Sequence, residues 1–432
     1  MEKIHSHAAG IDIGSRQVFV GLEEGPVRSF ETFTSSLADV GKYLLENKVT
    51  TVAMEATGVY WYVLYDILSE AGLEVWLVDG RETRQVPGRK TDVKDCQWIQ
   101  QLHSYGLLKR CYVSEGLIKE LRSYQRLRED HLRTASMHVQ HMQKALIEMN
   151  IRLPEVLSQV HGKSGIALIT AILAGERDGH KLISLCDKRV REKKGDDLLK
   201  ALEGHYTDYG LFALSQAYQG YLFYQTRMRE CDKKMQVLLE KINQDKDLPK
   251  GVETGHRKPI RHNKPQINHL GEHLLKVFDG RDATKLPGIT DYNWLQLYSE
   301  LGADLSKWPS EKSFTRWLGL SPGQHDSGKR KKNKNKGKPT VGQIFKEMAH
   351  GLLNSKYIGL GAFAKRLRGR KGPSIAIKAT ARKLASQYWR LMVKGSDFVE
   401  KGAIAYEQML KDNKNRQLKR LALELNMQLI PV

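Results

Sequence analysis

The first 80 residues alternate short β-rich runs with helical patterns, and this order constrains the fold more than any other feature of the sequence. Three β-rich runs come first, and a helix, a strand, a helix and a strand follow. We predict a mixed α/β sheet from this order. The second helix is expected to end at Gly72, and a further helix, TDVKDCQWIQQLHSYG, is expected to end at Gly106. The seven segments are HAAGIDIG, RQVFVGLE, VRSFETF, SLADVGKYLLENK, TTVAMEA, WYVLYDILSEAG and LEVWLVD.

The rest of the chain is predicted to be mainly helical. Residues 114–150 and 211–245 are polar, have helical periodicity and contain no proline, so they could pair as an antiparallel coiled-coil arm with 160–205 near its tip. Residues 246–265 hold three prolines and several basic residues, which is typical of a linker. We therefore divide the chain into an α/β domain, a helical coiled-coil region, a basic linker, a mainly α domain and a basic helical tail. Their predicted bounds are 1–110, 111–245, 246–279, 280–400 and 401–432.

The charge of the chain is strongly positive and unevenly distributed. Its 70 Lys and Arg against 49 Asp and Glu give a formal net charge of +21. Residues 1–110 hold 12 basic and 15 acidic residues, a net of −3, so the remainder carries +24. A basic surface of this size attracts polyanions and releases their counterions on binding. Nucleic acid is the predicted partner.

Composition also argues against several classes of protein. No apolar run reaches the roughly 18–20 residues that a membrane span needs, so no membrane association is expected. The first residues, MEKIHSHAAGIDIG, show no signal-peptide pattern. The four cysteines are scattered without a CxxC pair, which argues against a disulfide framework and a cysteine zinc site. We expect a cytoplasmic, nucleoid-associated protein.

Four carboxylates have the spacing of a metal site. Asp12 lies in the first strand between Gly10 and Gly14, and Glu55 ends a later strand. Asp92 and Asp95 are three residues apart on a predicted helix and so share one face. Carboxyl ends of strands collect ligands in α/β sheets, and clustered carboxylates need cations. The set predicts Mg²⁺, with two ions holding the attacking and leaving oxygens of a phosphodiester.

Each of these acids has a simpler interpretation. The GxDxG pattern around Asp12 also occurs in actin-like kinases, and Glu55 could cap the helix that follows it. Asp92 and Asp95 could be favourable charges in the first turn of their helix. The order Asp–Glu–Asp–x–x–Asp on strand, strand and helix favours the metal site over these alternatives.

Several segments of the sequence together resemble a known family. The segments GIDIGSRQVFVGL, AMEATGVYWYVL and GRKTDVKDCQWIQQLHSYGLL resemble the DEDD transposases of bacterial insertion sequences, which are bridge-RNA-guided recombinases. The segment KLPGI…FTRWLGLSPGQHDSG resembles their second catalytic domain, and the resemblance spans roughly residues 8–400 in the same order. It implies a RuvC-like, RNase H-type fold for the first domain, and Mg²⁺ held by Asp12, Glu55, Asp92 and Asp95.

The resemblance also implies a serine nucleophile in the last domain. The family's Ser–Gly–Gly motif corresponds here to Ser327, Gly328 and Lys329, so a lysine replaces the second glycine. Ser321, six residues earlier, is the competing candidate. Serine is a weak nucleophile that requires activation, and attack on a DNA phosphate would form a phosphoserine link that preserves the bond for rejoining.

Several basic residues are candidates for binding nucleic-acid phosphates, while a guide RNA would supply sequence by base pairing. The predicted partners are DNA, a structured non-coding RNA and further copies of the chain, in a dimer or tetramer. Two alternatives remain: a RuvC-like nuclease that uses metal alone, and a nucleic-acid-binding scaffold without catalysis. The predicted phosphate-binding residues are Arg84, Arg89, Lys90, Lys329, Arg330, Lys331, Lys332, Arg366, Arg368 and Arg370, with Lys371 beside them.

Overall fold

A computed structural model describes residues 2–83, 92–252, 257–260, 263–322, 340–355, 359–395 and 403–428, without the side chains of residues 81–82, 92–93 and 403–406. The chain divides into two compact units, Met1–Val113 and Ser114–Val432. Each unit has hydrophobic cores of its own.

The first unit is a five-stranded mixed sheet with helices, and the predicted order of its strands and main helices is confirmed. A short additional helix follows the last strand. Glycines with positive φ stand just beyond two helix ends, Gly72 at 85° and Gly106 at 64°, as the sequence predicts. The elements are β1 (Ala8–Ile13), β2 (Gln17–Gly21), β3 (Arg28–Glu31), α1 (Thr34–Glu46), β4 (Thr51–Glu55), α2 (Trp61–Glu70), β5 (Glu74–Val78), α3 (Gly80–Thr83) and α4 (Asp92–Ser104).

The strands of the sheet lie in the order β3-β2-β1-β4-β5. β1 pairs antiparallel with β2, and β2 with β3, whereas β4 runs parallel to both β1 and β5. One face carries a core in which Ile11 and Met54 pack with side chains from α1 and α2. The opposite face carries Ala53 and Val78, which pack with Ile99 of α4. Since side chains alternate along a strand, every second residue of β1 and β4 faces α4.

Among the residues that the structure describes, the second unit contains helices and no strands. Two of its helices are much longer than the rest and are separated by four shorter ones. The elements are α5 (Gly116–Glu148), α6 (Leu153–Val156), α7 (Lys163–Leu173), α8 (Gly179–Ser184), α9 (Lys188–Leu202), α10 (Asp208–Ile242), α11 (Leu270–Val277), the 3-10 turn η1 (Ala283–Lys285), α12 (Asp291–Leu301), α13 (Glu311–Trp317), α14 (Thr340–Leu352), α15 (Gly359–Lys371), α16 (Pro373–Lys394) and α17 (Ala403–Glu424).

The long helices α5 and α10 pair in an antiparallel arrangement. Arg128 of α5 donates to Asp232 of α10 at 2.5 Å, whereas His138, further along α5, stacks on Tyr224, earlier in α10. Residue numbers therefore rise on one helix as they fall on the other. The predicted pairing of these two segments is present, and their supercoiling into a coiled coil stays a prediction.

Two hydrophobic cores lie at opposite ends of the paired helices. At one end, Leu121 and Leu239 join the core of the helices α11 to α16. At the other end, Leu146 and Leu214 pack with α7, α8 and α9. The stretch 246–279 contains α11, whose Leu274 is fully buried in the first of these cores. The bounds of the five predicted segments stay a prediction.

Two expectations from composition can be compared with the structure. Among the described residues, no helix is long and apolar enough to cross a membrane. All four cysteines are free.

Candidate active site

Helix α4 packs directly against β1 because Gly10 has no side chain. A Cβ atom built on Gly10 would lie 2.2 Å from the carbonyl oxygen of Cys96 and 2.2 Å from the amide nitrogen of Gln100. Asp12 is two residues further along β1 and therefore points to the same face as Gly10. The close packing of strand and helix brings the partly buried Asp12 to the face that α4 covers.

Asp12 and Glu55 occupy adjacent positions at the ends of neighbouring parallel strands. The parallel register pairs Ile11 with Met54, and Asp12 and Glu55 are the next residues of β1 and β4. Glu55 also shares its face with Ala53, which packs against α4. The structure thus brings two of the four predicted acids to one face and one end of the sheet, which agrees with the carboxyl-end argument from the sequence.

The Glu55 carboxylate is held by the turn that follows β5. The Thr83 hydroxyl donates to Glu55 Oε2 at 2.9 Å. On the other side, a Cβ atom on Gly80 would lie 2.0 Å from Glu55 Oε1, so only glycine leaves room for the carboxylate. Trp98 of α4 donates its indole N–H to the carbonyl oxygen of Thr83 at 3.0 Å and ties this turn to the helix.

Sequence reasoning did not single out Thr83 or Gly80. It also passed over Asp79, which directly follows β5 and places a further carboxylate at the same edge of the sheet. Asp79 could have been found by the rule that pointed to Glu55, because each stands where a parallel strand ends.

Helix α4 carries the remaining two acids. Asp95 is partly buried in the first turn of α4, and Asp92 begins the helix, although its side chain lies outside the described atoms. Burial, together with the negative charge of Asp12 and then Asp95, raises the pKa of the Cys96 thiol to about 12. The thiol therefore stays protonated at neutral pH in the chain without bound metal.

The donors at this face are carboxylate oxygens, which fit Mg²⁺ rather than a metal that prefers sulfur or imidazole. Within the part of the chain that the structure describes, no three His, Cys, Asp or Glu residues are grouped closely enough to hold a metal ion. Asp12, Glu55 and Asp95 do not form such a group by themselves. The four-acid metal site therefore stays a prediction.

The proposed nucleophile lies outside the described residues, as do Arg84, Arg89, Lys90 and the basic run 329–332. The residues on both sides of 323–339 are described, and the two segments are in close contact. A Cβ atom built on Gly342 would lie 2.2 Å from the carbonyl oxygen of Leu318. Ser321, the competing serine, is partly buried and follows the buried Leu320.

The predicted basic residues of α15 are exposed to solvent. Arg366, Arg368 and Arg370 lie on this helix, and Arg368 donates to the side-chain oxygen of Asn354 at 3.2 Å. The stretch 359–395, which spans α15 and α16, contains no Asp or Glu. Its positive charges are therefore balanced only by acids from elsewhere, as in the ion pair of Arg390 with Glu311.

Two family models match the chain, one that runs from the first unit through α5 and one within the helices that follow α10. A model for DEDD transposases of the IS110 type, described as "Transposase", matches residues 9–151 and so includes all four acids. A model described as "Transposase IS116/IS110/IS902 family" matches residues 281–357, which include both candidate serines. The chain belongs to the IS110-type DEDD transposases.

A curated protein supports this family assignment. "Putative transposase y4pF/y4sB" of Sinorhizobium fredii is 23% identical over 266 residues, which are 56% of this chain. The match spans 62% of the length of that relative. The two IS110-type models have the order predicted from the resemblance, with the acid-bearing segment first and the serine-bearing segment last.

Proposed function

We propose that this chain is a Mg²⁺-dependent DNA transposase that cuts and rejoins DNA strands under the guidance of a structured RNA. One observation carries the proposal: Asp12 and Glu55 lie side by side at the ends of adjacent parallel strands, beneath a helix that carries two further acids, in a chain of a transposase family. This is the arrangement in which an α/β sheet presents oxygen ligands to a phosphodiester.

The four acids have the role of metal ligands in this proposal. Asp12 and Glu55 supply oxygens from the sheet, and Asp92 and Asp95 supply them from α4. When bound, Mg²⁺ neutralises negative charge on the phosphate and the oxygens that exchange at phosphorus. Thr83 and Gly80 position Glu55, one by a hydrogen bond and the other by leaving space. This positioning fixes one ligand before DNA arrives.

Ser327 has the role of nucleophile. Its Oγ forms a bond to the DNA phosphorus while the bond from phosphorus to one strand oxygen breaks. The serine proton passes to a nearby base, and the departing oxygen takes up a proton to become a free hydroxyl. Attack by a strand hydroxyl on the phosphoserine reverses these changes and joins the strands. The family match over 281–357 includes this serine and supports a nucleophile in that segment, with Ser321 as the alternative.

DNA and guide RNA are the partners that the charge favours. The net charge is +21, and α15 presents exposed arginines that would contact backbone phosphates without reading bases. The basic run 329–332 lies directly beside Ser327 in the sequence and would hold DNA near the nucleophile. Joining two duplexes requires several active sites, so the active form would be a dimer or tetramer acting at the nucleoid in the cytoplasm.

A covalent-trapping assay tests the proposal. The full chain, RNA from the flanking non-coding region, Mg²⁺ and end-labelled DNA with element junctions are combined and separated on a denaturing gel. We expect a labelled protein adduct that is lost in Asp12→Asn and in Ser327→Ala. The control Asp39→Asn replaces an exposed acid of α1 that pairs with Lys42, and should leave the adduct unchanged.

The other outcomes separate the competing functions. An adduct that survives in Ser327→Ala and disappears in Ser321→Ala identifies the other serine. Cleaved DNA without an adduct indicates a nuclease that uses metal alone. Intact binding without any chemistry indicates a scaffold and contradicts the proposal.

A further inference from the structure

An exposed apolar patch begins directly after Glu55. Positions 56–65 hold no charged residue. Four of the eight large hydrophobic side chains that are exposed in the described part of the first unit lie within 59–63, which we call the aromatic patch. Single apolar residues on a surface are ordinary, whereas a contiguous group of them marks a binding surface. The four residues are Val59, Tyr60, Tyr62 and Val63, and Tyr60 is 49% exposed.

Two tight turns keep the aromatic patch at the end of β4, where the proposed phosphodiester lies. The backbone N–H of Thr57 donates to the carbonyl oxygen of Glu55 at 2.9 Å, and the N–H of Tyr60 donates to that of Thr57 at 3.4 Å. Gly58, between them, has a φ of 55°. A Cβ atom built on Gly58 would lie 3.8 Å from the Tyr60 ring, so the ring rests beside the turn. The aromatic patch therefore adjoins the strand end that carries Glu55.

The core of the first unit fixes the ring of Tyr62. This ring stacks on Trp61 with the two centroids 3.9 Å apart, and Trp61 meets Tyr65 edge to face at 5.8 Å. Tyr65 is buried in the core that α1 and α2 form on the sheet. A side chain that is already held in place loses little conformational freedom when a ligand binds to it, so the patch is preorganised.

The start of α2 departs from the rules that stabilise a helix end. Ser, Thr, Asp and Asn are preferred at the N-cap, because their side chains accept from the free N–H groups of the first turn. Tyr60 occupies the N-cap position without a side-chain cap hydrogen bond, and the first turn contains no acidic residue. Departures of this kind are typical of functional sites, where a residue serves a ligand and not the helix.

The chemistry of the aromatic patch suits a base and not a phosphate. A patch without charge offers nothing to a phosphate, whereas the faces of aromatic rings stack on the face of any base. Under the proposed function, on which this inference rests, strands exchange partners and the base pairs beside the cut must open. An opened base loses its stacking in the duplex, and an aromatic side chain can replace it.

We infer that the aromatic patch stacks on an unpaired base of the DNA strand beside the phosphate that is cut, with the Tyr60 ring as the main contact. The acids at the sheet edge and their metal would hold the phosphate, and the patch would hold the neighbouring base. Stacking is open to every base, so this contact leaves the choice of sequence to the guide RNA.

Photo-crosslinking tests the inference without relying on cleavage. Junction DNA carries one 5-iodouracil at successive positions and is combined with the full chain and the flanking RNA, with Ca²⁺ in place of Mg²⁺ so that the DNA stays uncut. Long-wavelength light joins 5-iodouracil to an aromatic ring on which it stacks, and mass spectrometry identifies the peptide. We expect a position beside the cut to crosslink within 59–63. The crosslink should persist in Tyr60→Phe and be lost in Tyr60→Leu.

An abasic site at the crosslinking position measures the contribution of the contact. In the wild type, loss of the base should weaken DNA binding, measured by fluorescence anisotropy, by about fivefold to a hundredfold. In Tyr60→Leu the same change should have almost no effect, because the ring is already missing. Phe33→Leu is the matched control and should respond as the wild type does, since Phe33 is a 70% exposed aromatic residue of the same unit outside the patch.

The outcomes separate this inference from the proposed function. A crosslink within 59–63 from DNA that stays uncut in Mg²⁺ supports the base contact and contradicts the transposase. Cleavage in Mg²⁺ with crosslinks only outside 59–63 overturns the inference alone. An abasic site that weakens binding equally in the wild type and in Tyr60→Leu overturns it as well. A smaller oligomer of Tyr60→Leu in analytical ultracentrifugation without nucleic acid also overturns it, because a second copy of the chain would then cover the patch.

Discussion

Gly80 determines where the Glu55 carboxylate can lie, so Gly80→Ala should impair cleavage with little effect on folding. The added Cβ would lie 2.0 Å from Glu55 Oε1, whereas ordinary contacts begin at 3.4 Å. The carboxylate would have to move by about 1.4 Å, away from the Thr83 hydroxyl that holds it. Misplacement of a reacting group by about 1 Å can cost roughly a hundredfold in rate.

The assay is single-turnover cleavage of labelled junction DNA, with thermal unfolding measured in parallel. We expect cleavage to fall about a hundredfold and the melting temperature to change by only a few degrees, because the displaced atoms belong to a movable side chain. Gly195→Ala is the control, since its Cβ would have nothing within 4 Å. Cleavage by Gly80→Ala at the wild-type rate would refute the role assigned to Glu55.

Three further predictions concern stability. Gly10→Ala should lower the melting temperature of the first unit, because the added Cβ would lie 2.2 Å from backbone atoms of α4. Overpacking of this kind costs about 1–3 kcal/mol of stability. An unchanged melting temperature would contradict the close packing of α4 on β1. Arg128→Met should lower the free energy of unfolding in urea by about 3–5 kcal/mol, because it leaves the buried Asp232 without its ion-pair partner. The double variant with Asp232→Leu should recover part of this loss. Burial and then the charge of His5 lower the pKa of His103 to about 4, so the unfolded chain binds more protons between pH 6.5 and 4. Stability should therefore fall by up to about 3 kcal/mol as the pH drops through that window, and a His103→Gln variant should lack this slope in pH-dependent unfolding.

Local patterns were sufficient to predict much of the fold. The alternation of apolar residues identified the strands, and Gly72 and Gly106 marked helix ends because positive φ favours glycine. Asp12 and Glu55 could be predicted as neighbours because the carboxyl ends of parallel strands share an edge. The polarity, helical periodicity and lack of proline in 114–150 and 211–245 favoured the pairing of α5 with α10.

Contacts that depend on packing between distant segments could not be predicted. The support of Glu55 by Thr83 arises only because β4 and β5 pair in register and the following turn folds back over the strand end. The buried pair of Arg128 with Asp232 depends on the exact register of two long helices, which imperfect heptads do not define. The burial of an acid such as Asp291 cannot be inferred from the local sequence pattern.

The location of the metal is the central claim, and cleavage of the protein backbone by bound iron tests it most directly. Fe²⁺ replaces Mg²⁺ in the full chain, ascorbate and peroxide generate radicals at the ion, and mass spectrometry maps the cuts. We expect cuts close to Asp12, Glu55 and 92–95, all suppressed by excess Mg²⁺ and by Asp12→Asn. Cuts confined to other parts of the chain, or cuts at these positions that persist in Asp12→Asn, would contradict the account.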